Sequence, residues 1–227
     1  MTEFDWQKGH RQRLRERFKR TGFVGMHDYE KLELLLTYAI PRRDVKPVAK
    51  ALLLKFESLP GVLDATLEEL CQVPWVGENV ALFLKCQREL CCAYLEQRMR
   101  SVDVLATPEA AADFARMKLG ANRHETFMVI YLNPQAHVID FACIEGAVDR
   151  AAVYPRNIVE ECLRLKAVSV ILIHNHPSGV CLPSNEDIAV TRAVEKTLNA
   201  MNIRLIDHLI VSPASLRSMA RDGLLSS

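Results

Sequence analysis

The chain has 227 residues, about half of them apolar, and a formal net charge of +1. This length is enough for one large or two small domains with buried cores. It contains no apolar run of the roughly 18 residues that a membrane-spanning helix needs, and its acidic N-terminus lacks the apolar stretch of a signal peptide. Seven cysteines without a Cys-x-x-Cys pair argue against a disulfide framework or a cysteine zinc knuckle. We therefore expect a cytoplasmic protein with no membrane partner.

Positive charge is concentrated near the N-terminus. Residues 1–50 carry 12 Lys or Arg against 7 Asp or Glu, and most of the surplus lies between Lys8 and Arg20. Such a segment could contact phosphates. A solvated basic helix face explains it equally well.

The first 71 residues are predicted to be helical. Apolar residues recur at helical spacing. Pro41 is predicted to end a helix, and Pro60-Gly61 is predicted to form a turn. The predicted helices cover residues 8–20, 28–40, 45–56 and 67–71.

Residues 73–79 resemble the turn of a helix-hairpin-helix, because a short helix precedes them and a helix over 79–98 follows. In that motif, backbone N–H groups hold a DNA phosphate without reading sequence. The usual turn has glycine on both sides of a small apolar residue, whereas here Trp75 takes the first position and only Gly77 remains. A bulky side chain restricts positive φ and close approach to a phosphate. The alternative is a small helical bundle that docks another surface.

The polar segment 97–103 is the expected junction, which gives predicted domains 1–99 and 103–227. Thr107 caps a predicted helix over 108–118. The pattern beyond it alternates strands and helices, which predicts a mixed sheet with helices on its faces. Strands are predicted over 125–132, 136–144, 148–153, 168–173 and 203–211, and helices over 154–166, 185–201 and 214–219.

The candidate metal-binding residues follow the strand predicted at 168–173. His174 and His176 are two residues apart in an extended chain, so they project to the same side. Ser184 has the position of a helix N-cap, and Asp187 lies in the first turn. Two imidazoles and a carboxylate can therefore converge as in catalytic zinc sites, with the fourth position open. The alternative is a capping box at Ser184-x-x-Asp187 that needs no metal.

His174-x-His176-Pro177 followed by Ser184-x-x-Asp187 resembles the JAMM motif of the JAB/MPN metalloprotease superfamily, and the full string over 174–187 resembles its RadC branch. The segments 10–18 and 38–42 are also similar to RadC proteins. The resemblance implies an α/β (α+β) chain. Its N-terminal all-helical, helix-hairpin-helix-like domain is followed by a deaminase-like α/β MPN domain.

The resemblance also implies a zinc-dependent metallohydrolase that cleaves a peptide or isopeptide bond. One Zn²⁺ per chain would be held by His174, His176 and Asp187, with Glu125 as general base and Ser184 as donor to the oxyanion. Glu145 is the second candidate for the base.

Three other residues near the motif are interpreted as structural. Asn175 points away from the ligands, Cys181 anchors the loop rather than reaching the metal, and His208 is structural. The alternative function is a DNA-associated repair or recombination accessory protein that contacts DNA weakly through Lys8 to Arg20 and the hairpin at 73–79.

Overall fold

The computed structural model describes residues 3–104, 108–144, 155–213 and 215–225. The chain divides into two compact units, residues 1–90 and 91–227. The division falls within one long helix, ahead of the junction predicted at 97–103. The last turns of that helix, which include the buried Cys92 and Met99, belong to the core of the second unit.

The described part of the first unit is helical. Its elements are α1 (Glu3–Thr21), α2 (Asp28–Ala39), α3 (Lys46–Phe56), α4 (Leu59–Asp64), α5 (Leu67–Cys71) and the first part of α6 (Glu78–Arg100). Leucines at helical spacing are fully buried between these helices, among them Leu32, Leu36, Leu52 and Leu84. Their burial removes apolar surface from water, which stabilises the bundle.

Helix α4 corrects the turn that was predicted at Pro60-Gly61. Both residues lie inside the helix, and the hydroxyl of Ser58 caps it by accepting a hydrogen bond from the backbone N–H of Gly61 at 3.1 Å. Proline is tolerated in a first helical turn because its missing N–H has no partner there. Glycine is needed at 61, since a Cβ would collide with the carbonyl oxygen of Phe56.

The second unit contains the sheet. After the end of α6, its described elements are α7 (Pro108–Leu119), β1 (Phe127–Leu132), β2 (Val138–Ile144), α8 (Pro155–Leu165), β3 (Ser169–Asn175), α9 (Asn185–Asn199), β4 (Arg204–Val211) and β5 (Leu216–Ser218). The strand order is β2-β1-β3-β4-β5. In the described residues, β3 and β4 run parallel and the other neighbours are antiparallel. The predicted mixed sheet is confirmed.

Strand alternation divides the core into two layers. Met128 and Ile173 face Phe114 of α7, while Val129 and Leu172 face α8 and α9. Strands buried on both faces read as continuous apolar runs, which is the pattern of β1 and β3. The alternation along β3 places His174 on the face of α8 and α9.

The terminal helix predicted over residues 214–219 is wrong. Residues 216–218 form β5, an edge strand paired with β4, where a terminal helix was predicted. Ser212 and Ser215 close the turn, with the N–H of Ser212 donating to the carbonyl of Ser215 at 2.9 Å. The free edge of β4 therefore determined the conformation of this short segment.

Some predictions lie outside the described residues, namely the strand at 148–153, the cap at Thr107 and the position of Glu145. Within the described ranges, no helix combines the length and apolar character needed to cross a membrane.

Candidate metal centre

The two histidines lie at the carboxyl end of β3. His174 is the last residue of β3 paired with β1, and the N–H of His176 donates to the carbonyl of Val211 in β4 at 2.9 Å. This bond extends the strand path past Asn175, so both imidazoles leave the sheet on the same side. They are 3% and 8% exposed.

The loop after β3 returns the chain to this edge. Its turn has Gly179 at φ +83°, with the N–H of Gly179 donating to the carbonyl of His176 at 3.0 Å. Ser184 then begins α9 as a capping box, in which its N–H donates to Oδ2 of Asp187 at 2.7 Å. The cap fixes the Asp187 carboxylate over the end of β3, so the capping box and the cluster coexist.

His174, His176 and Asp187 converge. The two Nε2 atoms are 2.9 Å apart, and they lie 3.3 Å and 3.4 Å from Oδ1 and Oδ2 of Asp187, respectively. Neighbouring corners of a zinc tetrahedron with bonds of about 2.0–2.1 Å are about 3.4 Å apart. In the described part of the chain, this is the one group of three or more His, Cys, Asp or Glu residues whose ligand atoms all lie within 4.8 Å of one another. Two nitrogens and a carboxylate oxygen therefore fit zinc.

The chemistry of the donors also fits a cation. Nδ1 of His176 lies 2.7 Å from the carbonyl oxygen of Val180, which only accepts, so Nδ1 carries a proton and Nε2 is the ring nitrogen left to bind a metal. Burial raises the pKa of the Asp187 carboxyl, but His174 and the hydrogen bonds from Ser184 outweigh it and hold that pKa well below its usual range. Asp187 is therefore an anion that lies beside the two imidazoles.

Glu125 precedes β1 at the same edge of the sheet. Phe127 is paired with His174, and continuing this antiparallel register by two residues places Glu125 opposite His176. Residues two apart in a strand share a face, so an extended path through residue 126 would direct Glu125 to the side of Phe127 and the histidines. The side chain of Glu125 is half-buried and engaged in interactions.

Asn175 holds the segment that carries Glu125. Its Oδ1 accepts from the N–H of Thr126 at 2.7 Å, and its Nδ2 donates to the carbonyls of Asn122 and His124 at 3.0 Å and 3.2 Å. The side chain lies on the opposite face from the ligands, as strand alternation predicted.

Two further candidates make local contacts. The hydroxyl of Ser184 donates to Oδ2 of Asp187 at 2.7 Å. The thiol of Cys181 lies 3.0 Å from the hydroxyl of Ser215, so it anchors the loop.

Sequence reasoning missed the role of His208 and Thr191 beside the cluster. His208 was interpreted as structural, but its Nε2 lies 2.8 Å from Nδ1 of His174, and its Nδ1 lies 2.6 Å from Oγ1 of Thr191. Burial and the neighbouring His174 lower the pKa of His208 well below its usual value, so the ring is neutral. The parallel pairing of β3 with β4 could have suggested this neighbour, but a sequence without a known register does not.

The hairpin of the first unit differs from the expectation for Trp75. Its backbone adopts φ +71°, the left-handed conformation that the missing glycine would supply. The ring is 62% exposed, with the guanidinium of Arg43 lying 3.3 Å from its centroid. The turn conformation is therefore compatible with a bulky residue.

Part of the basic segment in α1 serves the fold. The guanidinium of Arg11 donates to the carbonyls of Ile40 and Arg43, and that of Arg17 pairs with Glu30 at 2.9 Å. The side chains of Arg13 and Lys19 are exposed. Only part of the positive charge is thus directed to solvent.

Comparison with known proteins agrees with the resemblance. The family model described as RadC-like JAB domain matches residues 105–224. UPF0758 protein FN0909 of Fusobacterium nucleatum is 39% identical over 233 residues, covering 99% of this chain and 100% of the relative. UPF0758 protein SPO0054 of Ruegeria pomeroyi is 37% identical over 219 residues, covering 96% and 98%. Neither name states an activity.

Proposed function

This chain belongs to the RadC-like JAB domain family, and from that premise we propose that it is a zinc-dependent hydrolase of peptide or isopeptide bonds. The observation that supports the proposal is the cluster of His174, His176 and Asp187, whose facing atoms lie 2.9–3.4 Å apart. A mixed nitrogen and oxygen donor set with three protein ligands is typical of catalytic zinc.

Zinc in this cluster would supply a Lewis acid that lowers the pKa of the attacking water towards neutrality. Glu125 is the proposed general base; the register of β1 with β3, extended by two residues, supports this by pairing its position with that of His176. It accepts a proton as the water oxygen attacks the carbonyl carbon, and it returns that proton to the leaving nitrogen when the C–N bond breaks.

Ser184 is proposed to donate its hydroxyl hydrogen to the oxyanion that forms during attack. The hydroxyl now donates to Oδ2 of Asp187, which also accepts the N–H of Ser184 at 2.7 Å. Oδ2 therefore keeps a hydrogen bond when the hydroxyl turns towards substrate.

Metal content tests the first part of this proposal. We expect about one zinc per chain in the wild type, and its loss in His176→Ala and Asp187→Asn. The exposed His137→Ala is the matched control and should keep the metal. A wild type that takes up no zinc from solution would refute the proposal.

Hydrolysis tests the second part. The zinc-loaded wild type is assayed on a panel of peptides and lysine isopeptides, with Glu125→Gln as the base variant. Glu125→Gln should keep zinc but lose most of the turnover, since a positioned base contributes about 10²–10⁴-fold. A Glu125→Gln variant with wild-type turnover would exclude Glu125 as the base.

We propose, as a second candidate function, that the helical unit binds DNA weakly through the basic segment Lys8 to Arg20 and the hairpin at 73–79. The left-handed backbone of Trp75 and its exposed ring beside Arg43 favour this proposal. Removing a cation that neutralises one phosphate should flatten the slope of log K against log salt by about 0.9, so Arg13→Gln and Lys19→Gln should each flatten it. Arg156→Gln, an exposed change in the other unit, is the control, and binding that does not depend on salt would contradict the proposal.

A further inference from the structure

A chain of hydrogen bonds connects His174 with the backbone of Asp187, on the side of His174 away from its metal-facing Nε2. Nδ1 of His174 lies 2.8 Å from Nε2 of His208, and Nδ1 of His208 lies 2.6 Å from Oγ1 of Thr191. Oγ1 of Thr191 lies 2.5 Å from the backbone carbonyl oxygen of Asp187. The line thus runs from a ligand on β3, through β4, to the first turns of α9.

The protons along this line can be assigned from its last member. A carbonyl oxygen only accepts, so the hydroxyl of Thr191 donates to Asp187 and must accept from Nδ1 of His208. Nε2 of His208 lies 2.8 Å from Nδ1 of His174, so one hydrogen lies between them, and a His174 that presents Nε2 to a metal carries this hydrogen on Nδ1. This arrangement leaves Nε2 of His174, which faces His176 and Asp187, free to bind a metal.

The reverse order of donors is unfavourable. If Nε2 of His208 carried the proton, Thr191 would have to donate to Nδ1 of His208 instead. Its oxygen and the carbonyl oxygen of Asp187 would then face each other at 2.5 Å without a hydrogen. The Thr191 hydroxyl could also donate to the sulfur of Met219 at 3.7 Å, but that weak bond would still leave no hydrogen between the two oxygens.

We infer that His208 and Thr191 are positioning residues, which hold His174 in the tautomer and orientation that direct its Nε2 lone pair at the metal. This inference rests on the proposed function. A metal-bound histidine donates the N–H of its other ring nitrogen to a neighbouring acceptor. Such an acceptor fixes the tautomer and the ring plane of the histidine. His208 and Thr191 are both 0% exposed, so water does not compete for these bonds.

Ring contacts support the orientation. The ring of Phe127 is stacked on His174, with centroids 6.0 Å apart and planes 6° apart, and it meets His208 edge-on at 5.4 Å and 63°. The plane of His174 is therefore fixed by Phe127, and its rotation within that plane is fixed by His208.

The test compares Thr191→Val with Thr191→Ser. Valine has the shape of threonine but removes the hydroxyl, whereas serine restores it. Zinc affinity, measured by competition with a chromogenic chelator, should fall about 10- to 100-fold in Thr191→Val and recover in Thr191→Ser. Thr197→Val is the matched control, because its hydroxyl also donates to the carbonyl four residues earlier on α9, at 2.8 Å, away from the cluster.

The tautomer of His208 provides a readout that a merely structural role would not move. Nitrogen-15 NMR of the full-length wild type, with and without zinc, should show the proton of His208 on Nδ1 and that of His174 on Nδ1. The Co²⁺-substituted protein should show altered ligand-field bands in Thr191→Val and wild-type bands in Thr197→Val.

The possible failures are distinguishable. A wild type without zinc refutes the proposed function, yet the tautomers remain measurable in that protein. A proton on Nε2 of His208, or equal zinc affinity in wild type and Thr191→Val, would overturn the positioning role while the metal site stands. If Thr191→Val does not fold, the wild-type tautomers alone decide the inference.

Discussion

Replacing Asn175 by alanine should separate metal binding from catalysis. Asn175, which lies between the two histidines in sequence, is fully buried, and its side chain makes three hydrogen bonds to the segment 122–126. At about 1 kcal/mol net for each bond, the substitution should cost about 3 kcal/mol of the free energy of unfolding. Because the segment carries Glu125 and no metal ligand, turnover should fall more than zinc content.

Urea denaturation followed by circular dichroism measures this cost. The two tryptophans of the chain both lie in residues 1–90, so their fluorescence reports the other unit and should keep its midpoint. Asn199→Ala, an exposed change on α9, is the control. A loss below about 1 kcal/mol, or zinc content falling in parallel with turnover, would refute this account of Asn175.

Three further predictions concern the fold. Cys92 and Cys162 are buried, and burial raises the pKa of the Cys162 thiol to about 12, so a native thiol titration should leave two of the seven cysteines unreacted until urea is added. Arg11→Met should destabilise the first unit by about 1–3 kcal/mol because its carbonyl acceptors lose their donor, whereas the exposed Arg13→Met should have little effect on thermal unfolding. Burial, partly offset by His10, raises the pKa of the Glu33 carboxyl, and its Oε2 has no hydrogen-bond partner among the residues that the structure describes. A raised folded-state pKa means stability that is present at low pH and lost as pH rises, so Glu33→Gln should raise the melting temperature at pH 7 more than at pH 4.

Each of these predictions has a contrary result. Seven thiols reacting at one rate would contradict the burial of Cys92 and Cys162. Equal melting temperatures for Arg11→Met and Arg13→Met would show that the carbonyl contacts of Arg11 are worth little. A gain for Glu33→Gln that does not change with pH would show that the charge of Glu33 is not the cause.

The spacing of apolar residues predicted most helices and strands, because these residues are the ones that the fold buries. The apolar run at 168–173 and the hairpin at 125–144 are long enough to determine strand type from sequence. Residues 216–218 were predicted wrongly because three residues carry little periodicity, and the unpaired edge of β4 decides their conformation.

The ligand cluster could be predicted because its residues are close in sequence. His174 and His176 share a side by alternation, and a recognisable cap places Asp187. The contact of His208 with His174 could not be predicted, since it depends on the register between β3 and β4. For Trp75, a local rule gave the wrong expectation. Bulky residues disfavour the left-handed backbone conformation, but the turn imposes it on Trp75.

The proposed metal ligands and the proposed base come from separate parts of the chain. His174, His176, Asp187, Thr191 and His208 all lie between the start of β3 and the end of β4, whereas Glu125 comes from the segment before β1. A lineage that replaced Glu125 alone would therefore keep its fold and its ligand cluster while losing its base. Under the proposed roles, residue 125 thus separates chains that could hydrolyse a substrate from chains that could only hold the metal.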